Sequence, residues 1–242
     1  MKIGIIGLGR FGELITKYLS KECEVYIFSR TNKDNEIEKL NAVPAKEEDI
    51  SKMDIIIPCV PISKFEDTLV KIKDLLKEDV LVVDVCSVKK YPLDLMEKIL
   101  PDKVQVLGTH PLFGPDSASE SLDGKKIVLC KARVDDELYK KIRDYLIKQN
   151  LEVIEVSPDE HDKDISNSLI LTHFIGRALI DMGADSLKID TVGYKRLLTI
   201  LETVENDTMQ LFDDMNNYNS YSKETRNNFL GAINKVNKRL EK

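Results

Sequence analysis

From Met1 to about Val156 the chain alternates short β-branched runs with amphipathic stretches. The runs predict strands at Lys2–Ile6, Glu24–Phe28, Ile55–Cys59, Val80–Val85, Val104–Leu107, Lys126–Cys130 and Glu152–Val156. Between them, Gly12–Leu19, Phe65–Leu76, Leu93–Leu100 and Asp135–Asn150 carry apolar residues at helical spacing. Stacked β-α-β units of this kind build a parallel sheet. The pattern changes at Ser157-Pro158-Asp159-Glu160, where an N-cap serine, a proline at the first helical position and a glutamate three residues after the cap form a helix start. Beyond it the periodicity is helical throughout, predicting helices at Pro158–Met182 with Gly183 as C-cap, Val192–Met215 and Ser222–Leu240.

This divides the chain into domains at 1–156 and 157–242. The helical tail is small for an independent core, so its apolar faces are expected to pack on the first domain and on a second copy, giving a homodimer through the helical domain.

Gly7-Leu8-Gly9-Arg10-Phe11-Gly12 stands between the first strand and the first helix. In that position G-x-G-x-x-G is a dinucleotide-binding fingerprint: Gly7 permits the tight turn, Gly9 lets backbone approach a pyrophosphate, and Gly12 lets helix and strand pack closely. The competing reading is a glycine-rich turn without a ligand. The expected fold class is α/β, a Rossmann-type doubly wound sheet followed by a smaller all-α domain. Cofactor choice falls at the end of the second strand, where Ser29-Arg30-Thr31 offers two hydroxyls and a guanidinium but no acid for a ribose 2′-hydroxyl. NADP is therefore expected over NAD, with NAD still possible; the alternative makes Arg30 a solvated surface charge.

Composition narrows the partners. With 42% hydrophobic and 32% charged residues the chain reads as globular, and a formal charge of −6 without a basic stripe argues against nucleic acid. Cys23, Cys59, Cys86 and Cys130 form no C-x-x-C pair, so no metal site is signalled and reduced thiols are expected. No apolar run approaches the roughly 20 residues that span a bilayer, and the opening strand lacks the regions of a signal peptide. The expectation is a cytoplasmic protein acting on a small molecule, with no membrane partner.

One of three histidines, His110, follows the apolar run Val104–Leu107 inside Thr109-His110-Pro111-Leu112-Phe113-Gly114-Pro115-Asp116. A strand ending at Leu107 or Gly108 places His110 at the C-terminal edge of the sheet, where doubly wound folds bind ligands. A histidine that merely satisfies a loop carbonyl is the competing reading. Ser87, at the end of the strand Val80–Val85, reaches the same edge; its hydroxyl serves either an imidazole or nicotinamide carboxamide, or the cap of the next helix.

Together these residues resemble the prephenate dehydrogenases of tyrosine biosynthesis. The resemblance rests on the glycine motif, Val60-Pro61, Asp84-x-x-Ser87-Val88-Lys89, the His110–Pro115 block, and His161-Asp162 followed by His173. It implies oxidative decarboxylation of prephenate to 4-hydroxyphenylpyruvate, with His110 as the catalytic imidazole, Ser87 orienting it, Val60 and Pro61 beside the cofactor, and His173 in the substrate pocket. His161, twelve residues earlier and so about 120° around and roughly 18 Å along a regular helix, is expected to be structural, at the domain boundary. The family's arginine for the ring carboxylate aligns with Thr203, leaving Lys195 and Arg196 as candidate replacements. Arogenate is the rival substrate; a deazaflavin-dependent NADP reductase and a non-catalytic nucleotide-binding protein are the remaining readings. No regulatory domain is evident after Leu240.

Overall fold

The computed structural model of the protein describes residues 1–202 and 204–241, so Thr203 lies outside the described residues. Two compact units, Met1–His161 and Asp162–Lys242, make up the chain.

The first unit holds β1 (Lys2–Ile6), β2 (Glu24–Phe28), β3 (Val43–Pro44), β4 (Ile55–Pro58), β5 (Leu81–Asp84), β6 (Gln105–Pro111), β7 (Lys126–Lys131) and β8 (Glu152–Glu155). They form one sheet in the order β3-β2-β1-β4-β5-β6-β7-β8. Its helices are α1 (Arg10–Leu19), α2 (Asp34–Lys39), α3 (Phe65–Ile72), α4 (Lys90–Ile99) and α5 (Asp136–Lys148). The chain reverses its direction of travel across the sheet between β1 and β4, which opens a crevice at the strand ends. Register follows side-chain alternation: Ile3 pairs with Val25 and Ile5 with Ile27, and all four are buried against Ile37 and Ala42. At the other side, Leu81, Leu107 and Leu129 bury against Tyr139 of α5.

Three features depart from the sequence expectation. β3 is additional, because two residues are too few to show a period. β7 runs antiparallel to β6, and β8 follows β7, so the sheet is not parallel throughout. No helix connects β6 to β7, and without a crossover the chain returns beside the strand it left. β6 also runs on to Pro111 instead of stopping at Leu107 or Gly108. Its pairing with β5 ends at Asp84↔Gly108, but the ladder with β7 continues through His110↔Val128.

The capping box forms as expected: the Ser157 and Glu160 backbone N–H groups donate reciprocally to the Glu160 carboxylate and the Ser157 hydroxyl. The helix it starts is not continuous. α6 (Pro158–Ile165) passes through a π-helical segment, Ser166–Ile170, before α7 (Leu171–Asp181). Gly183, at φ +76°, closes α7, with its N–H on the Ile180 carbonyl. The expected helix over Val192–Met215 is two, α8 (Val192–Glu205) and α9 (Met209–Tyr218), because the Thr208 hydroxyl accepts the Leu211 N–H and starts a new helix. α10 covers Ser222–Leu240 as predicted. α7 and α8 approach closely at Gly176, where an added Cβ would lie 2.7 Å from Val204. Among the described residues no helix is long and apolar enough to cross a membrane.

Candidate active site

The turn after β1 is built for close backbone approach. Gly7 has φ +101°, and a Cβ there would lie 2.5 Å from the Cys59 carbonyl oxygen; one on Gly12 would lie 2.4 Å from the Gly7 oxygen. Only glycine satisfies both contacts. Gly9, the N-cap of α1, has nothing within 4 Å of its Cβ position, so open space faces the free N–H groups of the helix. That geometry fits a dinucleotide pyrophosphate. Val60 lies beside the Gly7 turn and Pro61 leads on from it. Leu8 offers its carbonyl to the Lys33 ammonium at 3.3 Å, Phe11 is half-buried, and Arg10 pairs with Asp116 at 2.7 Å. At the end of β2, Ser29, Arg30 and Thr31 line a depression of about 200 Å³, with Arg30 exposed.

The loop between β6 and β7 is pinned to α1. Besides the Arg10–Asp116 pair, the Tyr18 hydroxyl donates to the Ala118 carbonyl and the Lys17 ammonium to the Ser119 carbonyl, each at 2.7 Å. The glycine helix and the strand carrying His110 are thus tied together.

Beneath His110 lies a wholly buried ion pair, Lys89 with Asp84. The ammonium also donates to the Thr109 carbonyl, the Thr109 hydroxyl donates to the Asp84 carbonyl at 2.8 Å, and the Asp84 carboxylate accepts the Cys86 N–H at 2.7 Å. Burial pushes the Asp84 carboxyl up, and the Lys89 charge and hydrogen bond oppose that rise. The cluster holds the end of β5 to β6 where their ladder stops.

His110 and His161 are both buried, and His110 Nδ1 lies 2.9 Å from His161 Nε2 in an edge-on arrangement. Burial holds the His110 imidazole well below the usual 6.5, and the neighbouring His161 and Lys89 charges lower it further. The ring is neutral at neutral pH and able to accept a proton. His161, the last residue of the first unit and so at the domain boundary as expected, is also bonded directly to the candidate catalytic ring. Among the described residues no hydrogen bond joins Ser87 to His110; Ser87 stands half-buried after β5, and the ring's hydrogen bond is to His161.

In the second unit, buried His173 has Nε2 3.5 Å from the Asp207 carboxylate, while its Nδ1 has no partner. Burial lowers its pKa, with Asp207 raising and Arg177 lowering it. Arg177 donates to the Val204 carbonyl at 3.0 Å and to the Asp207 carbonyl, closing the end of α8. Lys195 and Arg196 stand near the other end of α8, about 12 Å or more along the axis from Val204. Both are exposed, and Lys195 pairs with Asp190 at 3.6 Å. Helix rise thus removes them from the His173 cluster, and the cation there is Arg177. His173 and Arg177 share a face at i, i+4, a signal legible in the sequence. Asp207 was hidden by the expectation of unbroken helix. Among the described residues no group of three or more His, Cys, Asp or Glu is placed to hold a metal ion.

Fold and site together define a dinucleotide-binding type of α/β unit with a buried histidine at the strand ends. The family model described as prephenate dehydrogenase, nucleotide-binding domain, matches residues 15–155, and that described as TYRAAT1-like, C-terminal domain, matches 178–242. Arogenate dehydrogenase 1, chloroplastic, of Arabidopsis thaliana is 31% identical over 99% of this chain and 39% of its own length. Arogenate dehydrogenase 2, chloroplastic, of the same plant is 30% identical over 99% of this chain and 70% of its own. A prephenate dehydrogenase from A. aeolicus, crystallised with hydroxyphenyl propionate and NAD+, shares the fold at TM-score 0.78 and 20% identity, covering 99% of this chain and 90% of that one. The chain belongs to the prephenate/arogenate dehydrogenase family. It spans well under half the length of the first of these relatives.

Two outcomes follow for stability. Lys89→Met leaves the buried Asp84 carboxylate uncompensated and is expected to cost about 3–5 kcal/mol in urea denaturation, part of which the Asp84→Asn, Lys89→Met double variant recovers. Because His110 and His173 titrate below the ordinary 6.5, the unfolded chain binds more protons just under that pH. Their stabilising contribution is whole above 6.5 and falls with acidification by up to about 1.4 kcal/mol per pH unit per ring. Denaturation across that range should show a shallower slope for His110→Gln than for the parent.

Proposed function

We propose that the protein is a nicotinamide-dependent dehydrogenase that oxidatively decarboxylates arogenate to tyrosine. The observation that carries the reaction class is His110, a buried neutral imidazole standing two residues past the last β5–β6 pair in a unit whose first helix is open at Gly9. His110 accepts the ring hydroxyl proton as a hydride leaves the carbinol carbon; the ring then loses CO₂ and becomes aromatic. A nicotinamide cofactor, when bound, supplies the hydride acceptor. Gly7, Gly9 and Gly12 would admit its pyrophosphate, and Ser87 at the same strand ends would meet the carboxamide. Arg30, with Ser29 and Thr31, supports a preference for NADP, since a guanidinium suits a ribose phosphate.

Arogenate differs from prephenate in carrying an ammonium where prephenate has a keto group. The Asp207 carboxylate beside His173 is the feature that favours the amino form, and the names of the two plant relatives agree with it. Arg177 on the same cluster replaces the arginine expected at Thr203 as the cation for a substrate carboxylate. Prephenate, turned over by the same proton chemistry, is the second reading. A homodimer belongs to the proposal: Leu230, Ile233, Val236 and Leu240 lie exposed along α10, an apolar row that a second copy would cover. So does a reducing, cytoplasmic setting, in keeping with four free thiols.

The test is near-ultraviolet absorbance of the reduced cofactor with each pairing of NADP or NAD and arogenate or prephenate. Highest kcat/KM is expected for NADP with arogenate. His110→Asn should lower kcat by about 10²–10⁴-fold with dinucleotide affinity retained, and Asp207→Asn should move preference toward prephenate. No reduction with any pairing overturns the enzymatic reading in favour of a nucleotide-binding protein without chemistry. A parent preference for prephenate transfers the assignment to the second substrate.

A further inference from the structure

We infer that His161 positions His110 and takes the proton onward from it, so that the two imidazoles act as a relay; this rests on the dehydrogenase reading above. The contact itself forces a choice. An N···N separation of 2.9 Å between two buried rings is a hydrogen bond, so one nitrogen carries the proton and the other is bare. If His161 Nε2 carried it, His110 Nδ1 would be the acceptor, and a neutral His110 would then hold its own proton on Nε2, where no second one can be received. If His110 Nδ1 carries it, Nε2 is bare and ready for the substrate hydroxyl. Only the second arrangement makes His110 a base, and His161 Nε2 is what holds it there.

The same bond gives the proton a way on. The substrate O–H bond breaks and its proton goes to His110 Nε2; the Nδ1 proton then crosses to His161 Nε2, and His110 returns to neutral while the hydride electrons leave with the dinucleotide. Burial makes this step useful. A cation confined to His110 faces the Lys89 ammonium, which the Asp84 carboxylate only partly offsets, and sits opposite apolar Val128 on β7. The Cys86 thiol, held neutral by burial, contributes no charge on that side. Transfer moves the charge onto the second ring, on a helix whose first turn carries Asp159 and Glu160. Asp159 also pairs with Lys90 at 3.4 Å, and Glu160 is engaged in the capping box with Ser157.

The resting tautomer is read without substrate, by nitrogen-15 NMR of histidine-labelled protein. The expected spectrum has His110 protonated on Nδ1 and bare on Nε2; the opposite tautomer overturns the inference whether or not either substrate is turned over. In single-turnover cofactor reduction the parent should give a bowed dependence on deuterium fraction, from two protons in flight. His161→Gln, whose amide oxygen can hold the Nδ1 proton but not take it, should give a linear one, with the rate down roughly tenfold or more and substrate affinity little changed. It should also move the acid limb of the pH profile upward, since the His161 charge no longer depresses His110. His161→Ala, with no acceptor at all, should fall further, and Gln should recover part of that loss. A parent with one proton in flight, or a Gln variant that keeps the parent rate and acid limb, overturns the relay. Should His161→Gln not fold, the parent's tautomer and proton count decide alone.

Discussion

The buried Lys89–Asp84 pair is the constraint on which the site depends. A salt bridge removed from water contributes little net stability, because desolvation of both ions offsets their attraction. What it secures is placement. Lys89 satisfies the Thr109 carbonyl and Thr109 satisfies the Asp84 carbonyl, so the end of β5 and the middle of β6 are cross-tied at the point where their own ladder stops. The residue that follows Thr109 is His110, which therefore leaves the parallel sheet in a fixed direction while β7 supports it from the other side. The same ammonium helps to keep the His110 ring neutral.

Around that anchor the first unit assembles its chemistry from three separate stretches of chain. The glycine turn opens the amino end of α1, the loop after β6 is fastened back to that helix through Arg10, Lys17 and Tyr18, and α6 brings His161 to the free side of His110. The capping box at Ser157 and Glu160 sets where α6 begins, and hence where His161 falls, one turn in. A local rule about helix starts thereby controls a long-range contact of the candidate catalytic ring.

In the second unit, breaks in regular helix matter more than helix itself. The π-helical turn Ser166–Ile170 changes the angular register between His161 and His173, so a calculation at 3.6 residues per turn does not describe their relation. Its buried Ser166 hydroxyl contacts Thr225 of α10 at 3.1 Å and donates to the Lys163 carbonyl at 2.8 Å. The interruption after α8 likewise releases Asp207 from helical geometry and lets its carboxylate meet His173, while Arg177 closes the exposed carbonyls. Specificity is thus proposed to reside where the backbone departs from its period.

Much of this was legible along the chain. The seven longer strands, the glycine turn, the cap at Ser157, the Gly183 stop and α10 follow from alternation, helical spacing and the backbone demands of particular residues, all of which act over a few positions. Family resemblance placed all three histidines at family positions and added His173 as a functional candidate beside His110, with His161 read as structural. Pairing decided the rest. Whether β7 runs with β6 or against it, how far β6 extends, that His110 meets His161 and not Ser87, and that Arg177 and not Lys195 or Arg196 stands at His173 depend on contacts between residues dozens of positions apart. Periodicity carries no record of such contacts, because hydrogen bonds and charges act through space, and only the folded chain sets those distances.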